Sequence, residues 1–259
     1  MRVTIIGANG FVGSAFARLL ASRPGVELIQ VTRQNYSAQA GTPSDVVIEA
    51  ACNSKKFFAE EQPQLEFAGS VTHRLQTLFD FPAAFHLHIS SVDVYGGQTS
   101  PATTREDAAI DIEKISHYGA HKLLAENLVR HHAKSWLILR LAGMVGPNLR
   151  KNPVFDILNG QPLRIHPDSR YQYMLTDEVA RMAWQLFESG AAGEIFNLCG
   201  DSLISMREIA RLAGRELNLS ALPPDATPRI LEASSEKIRG RFPIQKTAEA
   251  VAKFLSSTQ

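Results

Sequence analysis

The chain has 259 residues, 44% hydrophobic and 20% charged, enough for one large core with a smaller lobe attached and too apolar for a disordered chain. Lys+Arg 27 against Asp+Glu 26 leaves a net charge of +1, which excludes strong electrostatic attraction to nucleic acid or an anionic membrane and makes a small molecule the expected partner. No window approaches the roughly 18 uninterrupted apolar residues of a membrane helix, and Cys52 and Cys199 lack a metal-like spacing, so reduced thiols in a cytoplasmic protein are expected.

Taken in order, Val3-Thr4-Ile5-Ile6 is a β-branched run that breaks into glycines spaced three apart, Gly7, Gly10 and Gly13, and then into an amphipathic pattern through Leu20. Strand, tight turn and helix in that order make a phosphate cradle. Gly7 supplies the backbone angles of the turn, Gly10 lets a pyrophosphate approach the main chain, and Gly13 lets the helix pack on the strand. The first N–H groups of the helix then face the anion. Gly7, Asn9, Gly10, Phe11, Val12 and Gly13 are therefore assigned to a dinucleotide.

Val26 to Val31 form a second strand ending at Thr32-Arg33. Folds that prefer NAD place an acid here for the ribose 2′-OH, whereas an Arg suits a 2′-phosphate. With Thr32 and Arg33 and no acid, NADP(H) is the favoured cofactor and NAD(H) the open alternative. Asp45 to Glu49 are a third strand running into Ala50-Ala51-Cys52, where small side chains at Ala50 and Ala51 leave room for an adenine or ribose. Pro63 to Phe79 supports one helix, with Leu65, Val71, Leu75 and Leu78 as its apolar positions and Gly69 as a weak point.

Phe85 to Ile89 are a fourth strand carrying His86 and His88 as packed or solvated residues. It ends in Ser90-Ser91-Val92-Asp93-Val94-Tyr95-Gly96-Gly97, hydroxyls at the strand end where doubly wound sheets bind ligand. Ser116 opens a helix in which Tyr118 and Lys122, four apart, share one face. Trp136 to Leu141 are a fifth strand. Thr176 or Asp177 caps a helix through Phe187 with Val179, Met182, Ala183 and Leu186 inward. Glu194 to Leu198 are a sixth strand, Ser205-Met206-Arg207-Glu208 a capping box opening a helix to about Leu217, and Gln245 to Leu255 a last helix.

This alternation predicts an α/β fold, a doubly wound parallel sheet of Rossmann-like type with a small C-terminal substrate lobe. Residues 1–147, with about 175–200, are expected to form the dinucleotide-binding domain, and 148–174 with 201–259 the lobe.

With the glycine loop, strand-end serines and Tyr-x-x-x-Lys assembled, the chain resembles the extended short-chain dehydrogenase/reductases of the NAD-dependent epimerase/dehydratase type, nearly end to end. Arg140 to Pro147 resembles the family's Arg-x-x-x-x-x-Gly-Pro segment, and Leu175 to Ala180 its late helix start. The resemblance implies that Ser91 holds the substrate's carbonyl or alcohol oxygen, that Tyr118 passes the proton and that Lys122 binds the nicotinamide ribose. A free Tyr has a pKa of about 10, too high for a base at neutral pH, and a neighbouring Lys⁺ together with the cofactor's charge would favour its phenolate. Substrate contacts are assigned to Ser91, Asp93 and Arg170.

The chain departs from its relatives at Gly143, where nucleotide-sugar enzymes carry an Asn, and at Val92-Asp93, where dehydratases carry an acid pair. The favoured expectation is an NADP(H)-dependent oxidoreductase interconverting a ketone and a secondary alcohol on a polar molecule such as a sugar derivative. An NAD-dependent epimerase and a non-catalytic dinucleotide sensor are the alternatives, each as monomer or homodimer.

Overall fold

In the computed structural model, which describes residues 1–53 and 56–258, the first strand is β1 (Arg2–Ile6), followed by α1 (Gly13–Ala21), β2 (Glu27–Val31), α2 (Tyr36–Gln39) and β3 (Ser44–Glu49). Next come α3 (Lys56–Glu61), α4 (Pro63–Phe67), α5 (His73–Asp80), β4 (Ala83–Ser91), α6 (His117–His132) and β5 (Trp136–Leu141). The rest is β6 (Gly143–Val145), α7 (Pro153–Leu158), β7 (Arg170–Tyr171), β8 (Tyr173–Leu175), α8 (Thr176–Glu188) and β9 (Glu194–Leu198), then β10 (Ile204–Ser205), α9 (Met206–Ala213), β11 (Ile230–Leu231), α10 (Glu236–Arg239) and α11 (Thr247–Ser257). The chain divides into two compact units, one of Met1–Gly97, Ala109–Leu141 and Ala180–Phe196, the other of Gln98–Ala108, Ala142–Val179 and Asn197–Gln259.

The six-stranded sheet has the order β2-β1-β3-β4-β5-β9. From β2 to β5 every neighbouring pair is parallel, as the sequence predicts for a doubly wound fold. Its strands are covered on both faces, which is why they read as continuous β-branched and aliphatic runs: Val3, Ile5, Ile48, Leu87, Leu137 and Leu139 are fully buried. The order reverses between β1 and β3, and the glycine loop leaves β1 at that reversal, where such sheets bind ligand. Register brings Ile6 beside Val31 and Glu49, and Glu49 beside His88, so the carboxyl ends of the strands line up.

The segment read as one helix from Pro63 to Phe79 is two α-helices joined by a π-helical stretch, Ala68–Thr72, that contains Gly69. Its amphipathicity is also inverted. Leu65 and Leu75 are 62% and 37% exposed, while Glu66, Ser70, Arg74 and Thr77 are buried. The inward polar residues bond to one another and to neighbouring elements: Ser70 donates to Glu66 and Arg74 Nη1 to Thr77, while Arg74 Nε has no hydrogen-bond partner. Of the four apolar positions only Val71 is buried.

In the second unit β6 pairs in parallel with β8, and a small sheet has the order β10-β7-β11. Val145, Val154, Tyr173, Met206, Val251 and Phe254 lie in its core. The expected capping box is present: Ser205 accepts the Glu208 N–H at 3.2 Å and Glu208 accepts the Ser205 N–H at 2.8 Å. That helix stops at Ala213, short of Leu217, because Gly214 turns left-handed at φ 62° and ends it. Thr176 is not the acceptor that caps α8, since its buried hydroxyl has no hydrogen-bond partner. The stretch Gln98–Ala108 belongs to this unit, tied in by Glu232 N–H to Gln98 O, Ser234 N–H to Thr104 Oγ1 and Asn197 Nδ2 to Thr104 O.

Candidate active site

The glycine loop is closed on itself by backbone bonds, Gly10 N–H to Gly7 O and Gly7 N–H to Val31 O, both 2.9 Å. Gly7 has φ +82°, and a Cβ there would stand 2.7 Å from Ala51 N; a Cβ on Gly13 would fall 2.1 Å from Gly7 O. Both positions therefore exclude any side chain. Helix α1 begins at Gly13 with no side chain capping it, and its Ser14 and Ala15 N–H groups bond to Gly10 O at 2.9 Å and Val12 O at 3.0 Å, which joins the helix to the loop. This tightly folded glycine turn, at the point where the strand order reverses, fits a dinucleotide phosphate.

At the end of β2, Asn35 Oδ1 accepts both the Thr32 N–H at 2.7 Å and the Thr32 hydroxyl at 3.1 Å. Thr32 is thus locked in the turn and Arg33 is displayed at the surface. Burial lowers the His73 pKa, and the charge of Arg33 acts in the same direction, opposed by Asp80. Ala50 and Ala51 pack against Gly7, with the Ala50 N–H on Ile6 O and the Ala51 N–H on Glu49 Oε1, each at 3.0 Å.

Ser91, Asp93, Tyr118 and Lys122 come together at the carboxyl end of β4. Ser91 donates to Asp93 Oδ2 at 2.7 Å and caps the short 3₁₀ turn Val92–Val94. Ser116 caps α6 by accepting the Gly119 N–H at 3.2 Å. Gly119 itself lets the helix touch that turn: a Cβ there would lie 2.2 Å from Asp93 O. The close approach sets Tyr118 beside Ser91. One turn on, Lys122 Nζ stands 5.5 Å from the Tyr118 ring centroid. Both side chains are buried.

Burial pushes the Tyr118 pKa well above the usual phenol range, reinforced by Cys52, Asp93 and Glu66 and opposed by the Ser91 hydrogen bond. Tyr118 therefore carries its proton at neutral pH.

Behind this group Arg140 makes a two-pronged contact to Glu126, 3.0 and 2.7 Å, and donates to the Tyr95 hydroxyl at 2.8 Å; Ser90 also donates to Glu126. Arg140 and Glu126 are only 3% and 1% exposed. Burial works against the Arg140 charge, but Glu126 outweighs it and holds the pKa above its ordinary value. The network joins α6 to β4 and β5 and so fixes the helix that carries Tyr118 and Lys122.

Three further pairs escaped the sequence reading. Lys56 Nζ binds Asp93 Oδ1 at 2.5 Å, His121 pairs with buried Glu66, and Arg74 with Glu49. Their only sequence signal is a polar residue recurring on the face of a helix otherwise read as apolar-in. In the second unit Arg170 is exposed on β7, where its charge lowers the Glu208 pKa behind the larger effect of the Ser205 hydrogen bonds. A Cβ on Gly143 would stand 2.5 Å from Gln172 O and 2.9 Å from the Tyr173 ring, so the pairing of β6 with β8 excludes a side chain there. Among the described residues no cluster of ligands suits a metal ion, and no helix is long and apolar enough to cross a membrane.

A doubly wound sheet with a glycine-rich first turn, a strand-end Ser and a helical Tyr-x-x-x-Lys defines an extended short-chain dehydrogenase/reductase. Within that class the chain belongs to the RmlD substrate binding domain family, which matches residues 1–238. It is 26% identical to the trifunctional UDP-glucose 4,6-dehydratase/UDP-4-keto-6-deoxy-D-glucose 3,5-epimerase/UDP-4-keto-L-rhamnose-reductase of Arabidopsis thaliana, over 89% of this chain but 41% of that protein. The chain thus spans less than half the length of that relative. Among solved structures, a dTDP-4-dehydrorhamnose reductase from Clostridium acetobutylicum superposes with a TM-score of 0.83 at 20% identity, covering 100% of both chains. A UDP-galactose 4-epimerase superposes with a TM-score of 0.76 at 24% identity, covering 100% of this chain and 98% of the other. Related structures are complexed with NADPH, NADP or NAD.

Proposed function

We propose that the protein is an NADP(H)-dependent reductase acting on the ketone of a sugar derivative. The observation that carries this reading is the buried Tyr118 placed between Ser91 and Lys122, whose Nζ is 5.5 Å from the Tyr118 ring centroid. A neutral phenol is the form that gives a proton to a carbonyl oxygen, whereas oxidation of an alcohol needs the phenolate. Ser91 holds the substrate oxygen, Tyr118 delivers its proton to that oxygen, and Lys122 binds the nicotinamide ribose. The nicotinamide, when bound, supplies the hydride. Gly7, Asn9, Gly10, Phe11, Val12 and Gly13 hold the pyrophosphate, Ala50 and Ala51 flank the adenosine, and Arg33 takes the 2′-phosphate. Asp93 and Arg170 bind the substrate.

The epimerase reading is favoured by one observation, the likeness in fold to sugar epimerases. Mass spectrometry of the purified protein, with NADPH consumption followed against a panel of keto-sugars, separates the two. A reductase consumes NADPH stoichiometrically; tightly retained NAD with isomerised substrate and no net turnover would make it an epimerase. Cys52 and Cys199 as free thiols suit the cytoplasm.

A further inference from the structure

Two charged side chains lie buried beneath the glycine loop, where an apolar pair of similar volume would fold as well. Glu49, at the end of β3, is 3% exposed and pairs with the Arg74 guanidinium, 4% exposed, from α5. Stability alone therefore does not account for them. The second carboxylate oxygen does what hydrocarbon cannot: Glu49 Oε1 accepts the Ala51 N–H at 3.0 Å. Together with the Ala50 N–H on Ile6 O, that bond fixes the turn on which Gly7 rests, its absent Cβ only 2.7 Å from Ala51 N and 2.8 Å from Ala51 Cα. Arg74 is itself anchored, donating to Thr77 Oγ1 at 3.0 Å while the Thr77 hydroxyl donates to Arg74 O at 3.0 Å.

We infer that Glu49 and Arg74 are positioning residues for the dinucleotide, Glu49 clamping the Ala50–Ala51 turn against Gly7 and Arg74 keeping the Glu49 carboxylate aimed at that turn. The inference rests on reading the Gly7 loop as the dinucleotide site. A turn held in this way is ordered before the cofactor arrives, so less ordering is required on binding.

Two variants separate positioning from structural support. In Glu49→Leu/Arg74→Met both charges and the Ala51 acceptor are gone and the volume is nearly kept; in Glu49→Gln the acceptor stays and Arg74 is left unpaired. Thermal unfolding and fluorescence titration with NADPH and NADH are measured on each. The double variant is expected to unfold near the wild-type temperature yet bind both dinucleotides about tenfold more weakly, a change of roughly 1.4 kcal/mol. Glu49→Gln is expected to unfold at lower temperature yet bind nearly as the wild type does. Wild-type affinity in the double variant, or affinities that simply follow unfolding temperature, would overturn the proposal. Amide hydrogen exchange on the wild type gives a check that needs no variant: rapid exchange at Ala51 overturns the clamp. Wild-type protein that binds neither dinucleotide while Ala51 is protected overturns the functional reading instead, and the positioning role with it.

Discussion

The Ser91 hydroxyl gives its hydrogen to Asp93 at 2.7 Å, and Asp93 is in turn paired with Lys56 at 2.5 Å. A substrate oxygen must therefore compete with Asp93 for the one proton Ser91 can donate. Ser91→Ala should lower kcat by about 10²–10³-fold, the loss seen when one donor to a developing oxyanion is removed. Steady-state kinetics check this, and undiminished turnover would remove Ser91 from the chemistry.

Tyr118→Phe deletes only the transferable proton. It should lower kcat by roughly 10²–10⁴-fold with cofactor affinity nearly unchanged, whereas Lys122→Ala should harm both. Because the Tyr118 pKa is raised, the wild-type rate of ketone reduction should stay level through neutral pH, with no loss from Tyr118 ionisation below about pH 10. A Tyr118→Phe enzyme with full activity would refute the assignment.

Arg33 is exposed beyond the locked Thr32 turn. Arg33→Asp should weaken NADPH binding by about 1–3 kcal/mol, the range for a hydrogen bond to a charged group, and NADH binding much less. Calorimetric titration with both cofactors decides: equal weakening leaves Arg33 a surface charge.

Burial lowers the His86 pKa from 6.5 to about 4, with the Arg74 charge adding to it. The folded form resists protonation where the unfolded chain accepts it. The stability tied to His86 is thus present above pH 6.5 and lost as pH falls toward 4, a loss on the order of 3 kcal/mol at about 1.4 kcal/mol per unit. Urea unfolding across that window should show the decline, and His86→Val should make it shallower, leaving the share of buried His88, which is shifted in the same direction. Identical pH slopes in the two proteins would acquit His86.

Arg170→Ala should raise KM for an anionic substrate and leave cofactor affinity alone. If KM is unchanged for the true substrate, Arg170 serves only its neighbour Glu208.

Much of this molecule is legible in local sequence because local chemistry makes it. The glycine spacing, the strand-end serines, Tyr118 with Lys122 and the Ser205 capping box each depend on residues within one turn of one another. What was missed depends on distance along the chain. Glu126 meets Arg140 14 residues away, Lys56 meets Asp93 37 away and His121 meets Glu66 55 away, and no periodicity reports such pairs. The Pro63 to Phe79 segment misleads for the same reason. Its inward face is polar because its partners are Glu49 and His121, so hydrophobic spacing points to the wrong side. Two-residue strands such as β7 and β10 carry too few positions to show an alternation.

The place of β9 in the sheet bears on synthesis. Strand β5 ends at Leu141, but the neighbour that covers its outer edge is not made until Glu194–Leu198. On a ribosome adding about 5–20 residues per second, β5 waits seconds with its edge unpaired, and such an edge is a template for foreign strands. The nascent chain is most vulnerable to aggregation in that interval, and no single cut in the gene releases the first unit whole, since it is drawn from three separate stretches.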